Sequence, residues 1–155
     1  MKKNLIFLAF TILWPIEIYC QNINDVSDRH GVIFHPVNDS NIVYNTKKGE
    51  KYEIRLKQIS FVDGENALVD YLKKNYYKSR PSDDDYAYRV FFFILFDSKL
   101  QIKEVRDFVL PLNQYTESKK KRVKLYTKGL KKTKNRWKKK SSQKWYVYSL
   151  SLIHI

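Results

Sequence analysis

The chain is poor in the residues that staple or punctuate small folds: of its 155 residues, one is cysteine, four are glycine and four are proline. The single cysteine, Cys20, excludes a disulfide framework and any zinc site built on paired thiolates. So little glycine and proline excludes collagen-like and low-complexity chains. No period recurs, which excludes solenoids and coiled coils. No apolar run reaches the roughly 20 residues of a spanning helix. Acids are scarce as well, 16 Asp+Glu against 30 Lys+Arg, for a formal net charge of +14. What is present is a large apolar fraction, 43% hydrophobic and 15% aromatic residues, which is too much for a disordered chain. At this length the composition implies one basic domain with a real core.

Residues 1–20 form an address. Lys2 and Lys3 precede the run 5–16, apolar except for Thr11, and Glu17 ends it. This is the layout of a secretory signal peptide, with cleavage expected after Cys20 and Gln21 leading the mature chain. Two alternatives stand beside it. A lipoprotein would carry its lipid on Cys20, but Tyr19 sits where that signal wants a small residue. An uncleaved inner-membrane anchor would have to tolerate Pro15 and bury Glu17. The expected location is the periplasm or the exterior, and a mature chain without cysteine suits an oxidising compartment.

Residues 21–57 read as an N-terminal arm or extra short strands around the apolar runs 32–34 and 42–44 and the alternating segment 52–56. From Asp63, an expected N-cap, Ala67, Leu68, Tyr71 and Leu72 share one helical face, and the helix should run from about 64 to 75, stopping before Pro81. Residues 82–85 form an acidic loop. The run 88–96 is wholly apolar from Val90 to Phe96 and reads as a strand buried on both faces. Asp97, Ser98 and Lys99 break it, and the more polar run 100–109 returns as a second strand nearer an edge. Pro111 ends that hairpin. Thr116 and Glu117 open a second helix, whose apolar stripe is Val123, Tyr126, Leu130 and Trp137. Gly129 lies inside it and predicts a kink or a split. Residues 138–143 read as a polar loop and 144–155 as a last strand. The expected fold class is α+β, a small antiparallel three-stranded sheet packed by two helices in the order helix-strand-strand-helix-strand.

The charge is local. Residues 117–144 hold fourteen Lys or Arg and one acid, Glu117, a net of +13, so the rest of the chain nets +1. Lys131, Lys132, Lys134, Arg136, Lys138, Lys139 and Lys140 make a candidate patch for lipopolysaccharide, anionic lipid or another polyanion. The plainer reading is a solvated helix face with cations near its C-terminal end. Nucleic acid is disfavoured, because an exported protein seldom meets it and no arginine-aromatic interleaving is present.

Catalytic and metal signals are weak. His30, His35 and His154 are the strongest remaining transition-metal ligands, and their spacing matches no metal motif. Asp83, Asp84 and Asp85 lack the glycine and distal glutamate of a calcium loop. No nucleophile elbow, P-loop or dinucleotide fingerprint occurs. The expectation is a non-enzyme with no cofactor and no metal.

The ordered segments add up to a pattern. Residues 57–75, KQISFVDGENALVDYLKKN, resemble the opening of TonB C-terminal domains, Q-M-P-x-F-P-G-G-x-x-A-L-x-x-Y-L-x-x-N. Phe61, Gly64, Ala67, Leu68, Tyr71, Leu72 and Asn75 match, while Val62 and Asp63 stand where the family has Pro and its first Gly. Tyr77 to Pro81 echoes the family's Tyr-Pro step, Arg89-Val90 its first strand, and Arg136-Trp137 the tryptophan step closing its second helix. The resemblance spans residues 58–155 and implies a stand-alone, divergent, signal-bearing member. It also implies the function: a protein–protein interaction module, in a TonB-dependent transport context, binding an extended peptide of an outer-membrane receptor by strand addition. The strand implied for that contact is Trp145, Tyr146, Val147, Tyr148, Ser149, Leu150, Ser151, Leu152 and Ile153. Other envelope proteins and a second copy of the chain are the remaining partner classes. No Pro-rich spacer of an energy transducer is present.

Overall fold

The most apolar stretch of the chain sets the middle of the fold. A computed structural model describes residues 26–28, 31–76, 88–110 and 116–154. The segment 1–20 read as a signal peptide, His30, the step 77–81, the segment 82–85 read as an acidic loop, and Pro111 lie outside the described residues. The strands are β1 (Val26–Asp28), β2 (Gly31–Pro36), β3 (Asn41–Asn45), β4 (Lys51–Arg55), β5 (Ile59–Phe61), β6 (Tyr88–Asp97), β7 (Ile102–Leu110), β8 (Trp137–Lys139) and β9 (Trp145–His154). The helices are α1 (Gly64–Tyr76), between β5 and β6, and α2 (Glu117–Lys131), between β7 and β8.

The class is α+β with two helices and antiparallel sheets among the described residues. The sheets, however, exceed the single small one expected. β7, β6 and β9 form a three-stranded sheet with β6 in the middle; β1 to β4 form a separate four-stranded meander; β5 and β8 form a two-stranded ribbon. The segment 21–57, left open between an arm and strands, is strand-forming from Val26 onward.

Two cores meet on β6. Val90, Phe92, Ile94 and Phe96 point to the helices and join Leu68, Leu72, Val123, Tyr126 and Leu130. Phe91, Phe93 and Leu95 point the other way, onto Ile33, Phe34, Ile42, Tyr44 and Ile54 of the meander. The expectation of a strand buried on both faces therefore holds, and the meander is what covers the second face. Burying these seven side chains contributes on the order of 10–20 kcal/mol before chain entropy is subtracted.

A buried ion pair pins the sheets together. Arg106 of β7 is 2% exposed. Its Nε and Nη2 donate to Oδ2 and Oδ1 of Asp28 at 2.9 and 2.6 Å, Nη1 donates to the Asn45 carbonyl at 2.7 Å, and Nη2 also reaches the Gly31 carbonyl at 3.2 Å. Burial opposes the guanidinium charge, but Asp28, then Tyr44 and Glu104, outweigh it and hold its pKa above the ordinary value. Beside it the Tyr44 hydroxyl donates to Glu104 Oε1 at 3.1 Å. Burial first, then the Glu104 charge, raises the Tyr44 pKa. β7 is an edge strand whose polar residues serve this interface.

Local signals explain the connections. Asp97 organises the β6–β7 turn: its carboxylate accepts from the backbone N–H groups of Lys99 and Gln101 and pairs with Lys103 at 2.9 Å. Leu100, at φ 59°, occupies the left-handed position that glycine would fill more cheaply. Thr116 caps α2 as expected, accepting from the Lys119 backbone N–H. The Asp63 carboxylate, expected to cap α1, is instead taken by Arg136 at 2.7 Å. Gly129 causes no break, since α2 is continuous through it. A Cβ there would lie 2.7 Å from a Tyr76 ring carbon and 2.9 Å from Leu72 Cδ2, so the glycine marks the close crossing of α1 and α2. Trp137, read as the end of the helical stripe, lies beyond α2 on β8, and Lys138 and Lys139, read as loop, are on that strand too.

Candidate functional site

Two surfaces stand out, and they lie at opposite edges of the three-stranded sheet. The first is β9. It pairs with β6 through ten residue pairs, from Tyr88↔His154 to Asp97↔Trp145, and no other strand pairs with it among the described residues. Its side chains are mostly spent on packing. Tyr146, Leu150 and Leu152 enter the helical core, and Tyr148 sits edge-on against Trp137 at 4.9 Å. Val147 faces the meander, and Trp145 stacks on Tyr52 at 4.2 Å. Ser149 and Ser151 are half-buried. The Trp145 indole N–H and the Ser151 hydroxyl have no hydrogen-bond partner among the described residues. The Tyr148 hydroxyl donates toward Glu65 at 3.4 Å, and burial, then that carboxylate, raises its pKa. β9 thus offers a partner its main chain more than its side chains.

The residues that carry the family resemblance converge on one structural cluster. Phe61 and Trp137 meet edge-on at 5.2 Å, and Leu68 and Leu72 are fully buried beneath α1. The Arg136 guanidinium lies over the rings of Phe61 and Tyr71 at 4.6 and 5.6 Å while holding Asp63. The Trp137 indole N–H donates to Thr133 Oγ1 at 3.0 Å. Gly64 takes φ 84°, which favours glycine at the entry to α1. Ala67 packs against the same core, and Asn75 donates to the Tyr71 carbonyl at 2.8 Å. This cluster clamps α1 to the β5–β8 ribbon, with the Arg136 and Asp63 side chains 42% and 54% exposed at its rim.

The second surface is basic, and its membership differs from the expected patch. Arg136 drops out because Asp63 and two rings engage it. Lys138 and Lys139 stand on β8 opposite Ser60 and Ile59, and the Lys140 backbone N–H bonds to the Gln58 carbonyl, so this trio belongs to the ribbon. Lys131, Lys132 and Lys134 instead join Lys124, Lys128 and Thr127 in an open groove between α2 and the start of β7, where Ile102 and Lys103 complete the wall. The missed members had a signal, since positions 124, 128 and 131 recur at helical spacing. Lys103 from a separate strand had none.

His35 stands on β2, and among the described residues no three His, Cys, Asp or Glu side chains gather as metal ligands. No helix among the described residues is long and apolar enough to cross a membrane. Comparisons with protein-family models, with curated proteins and with solved structures find no match.

Proposed function

We propose that this chain is a non-enzymatic, exported protein–protein interaction module of the TonB C-terminal type. It binds an extended segment of an outer-membrane receptor, or of another envelope protein, by adding that segment as a strand alongside β9. The observation that carries this reading is the position of β9 at the edge of the three-stranded sheet, with β6 as its one partner strand among the described residues. An edge strand presents a row of unpaired N–H and C=O groups, and a peptide that pairs with them gains affinity from main-chain hydrogen bonds. The ordered resemblance over residues 58–155 supports the same reading.

The contacts that tie β9 to β4 centre on its start, where Trp145 stacks on Tyr52 and Gln143, two residues earlier, donates to the Arg55 carbonyl at 3.2 Å. The stretch from Ser149 onward is therefore the length on which the added strand pairs.

The test is a titration of the labelled protein with extended receptor-plug peptides, followed by backbone amide NMR. Shifts concentrated in residues 149–154, abolished by N-methylating alternate peptide residues, are the expected result. Absence of binding to every such peptide by the folded protein removes the receptor role. Binding with shifts confined elsewhere removes strand addition.

A further inference from the structure

We propose that the outward face of α2, together with the groove beside it, docks on an anionic phospholipid surface. Lys124, Lys128 and Lys131 follow one another at spacings of four and three along α2, and Lys132 and Lys134 continue the row past its end. None of these five pairs with an acid among the described residues, whereas Lys103, on the opposite wall, is paired with Asp97. Like charges at such spacings oppose helix formation, so an uncompensated row is costly unless an external anion balances it. Leu125, next in sequence to Lys124 and three residues before Lys128, is 45% exposed, one of three large apolar side chains left exposed among the described residues.

The chemistry selects the occupant. Lysine ammonium groups are mobile, strongly hydrated point charges that suit a diffuse field of phosphates better than one fixed fork-shaped site. Among the described residues no arginine and no aromatic ring lines the groove, the nearby Tyr76 ring being held under Lys132, so neither base-edge forks nor a stacking platform for nucleic acid is found there. An exposed leucine among lysines is the pattern of a helix that rests at the headgroup boundary of a bilayer. This surface lies at the β7 edge of the sheet and β9 at the other edge, so docking leaves the strand-addition edge accessible.

The test is co-sedimentation of the folded chain with vesicles of phosphatidylcholine alone and of phosphatidylcholine mixed with phosphatidylglycerol. Binding is expected only to the mixed vesicles, falling steeply between about 50 and about 200 mM salt. Each near-surface lysine contributes about fivefold, so the triple variant Lys124→Gln, Lys128→Gln, Lys131→Gln should lose about 100-fold. Leu125→Ser should weaken binding without changing its salt dependence. The control triple Lys47→Gln, Lys48→Gln, Lys51→Gln removes equal charge from the β3–β4 turn on the far layer and should change binding less than about twofold. Equal loss in both triples would assign binding to net charge alone and overturn the proposal. Tighter binding of soluble polyphosphate or duplex DNA than of the vesicles, with Leu125→Ser inert, would overturn it in favour of a soluble polyanion. Peptide titration at β9 is read separately, so the two functions fail independently.

Discussion

Replacing Arg106 by methionine removes the charge that joins the meander to the three-stranded sheet while keeping most of the side-chain volume. Four hydrogen bonds disappear, two to Asp28 and one each to the carbonyls of Asn45 and Gly31. The Asp28 carboxylate, whose side chain is 5% exposed, loses its countercharge. Breaking one side of such a pair costs about 3–5 kcal/mol. A domain of this size holds about 5–15 kcal/mol in total, so the variant keeps a narrow margin. At about 4 °C per kcal/mol, its Tm should fall by roughly 12–20 °C. Asp28→Leu should cost a comparable amount, because it strands the guanidinium. The double variant should recover to within about 2 kcal/mol of the original protein, since apolar contact replaces a pair that is costly to desolvate. Guanidinium chloride unfolding followed by circular dichroism measures all four corners of this cycle, with m-values checking that the compared states match. If Arg106→Met lies within about 1 kcal/mol of the original, or if the double variant is no better than the worse single one, the pair does not hold the sheets together.

Gly129→Ala gains about 1 kcal/mol of helix propensity, yet its methyl group meets the Tyr76 ring and Leu72, so the net effect should be a loss of about 1–2 kcal/mol by chemical unfolding. In a Tyr76→Ala background, where only the Leu72 contact remains, Gly129→Ala should cost less than it does in the original chain. Burial opposes ionisation of Asp97, but the Lys103 ammonium and the N–H groups of Gln101 and Lys99 outweigh it and hold its carboxyl below its ordinary value. Its contribution is therefore complete above the unfolded-state pKa of about 4 and is lost as pH falls through the lower folded value. Asp97→Asn should flatten that part of the stability–pH curve measured from about pH 5 downward. A fragment beginning at residue 58 lacks the meander and would expose Phe91, Phe93, Leu95 and Val147; static light scattering should show it associating where the full chain does not.

The legible parts of the fold are those whose signals lie within a dozen neighbouring residues. The run of seven apolar residues in β6 specifies two-sided burial by itself, and Thr116 followed by Glu117 specifies the start of α2. What covers the second face of β6 was not legible, because β1 to β4 are short and mix apolar residues with Asn, Asp and Lys. Trp137 follows Leu130 by seven residues and so imitates a helical stripe, although Thr133 to Arg136 turn the chain away from α2. The pairing of Phe61 with Trp137 joins segments 76 residues apart, which no local pattern announces. The candidate surfaces divide in the same way. The density of lysines is visible in the sequence, but Asp63 withdraws Arg136 from the patch and β7 supplies Lys103, and both depend on tertiary pairing.

The register of β9 also bears on the order of assembly. The meander closes through strands that follow one another directly, whereas β9 meets β6 across 48 residues at Asp97↔Trp145 and 66 at Tyr88↔His154. Loop-closure entropy makes such pairing slow compared with hairpin formation. During synthesis β6 therefore emerges well before its partner, with seven consecutive apolar residues and one edge open. The meander, made before β6, would cover its Phe91, Phe93 and Leu95 face and remove that apolar surface from intermolecular contact. The N-terminal sheet is thus placed, in chain order, to cover one face of the central strand before that strand's last partner has been made.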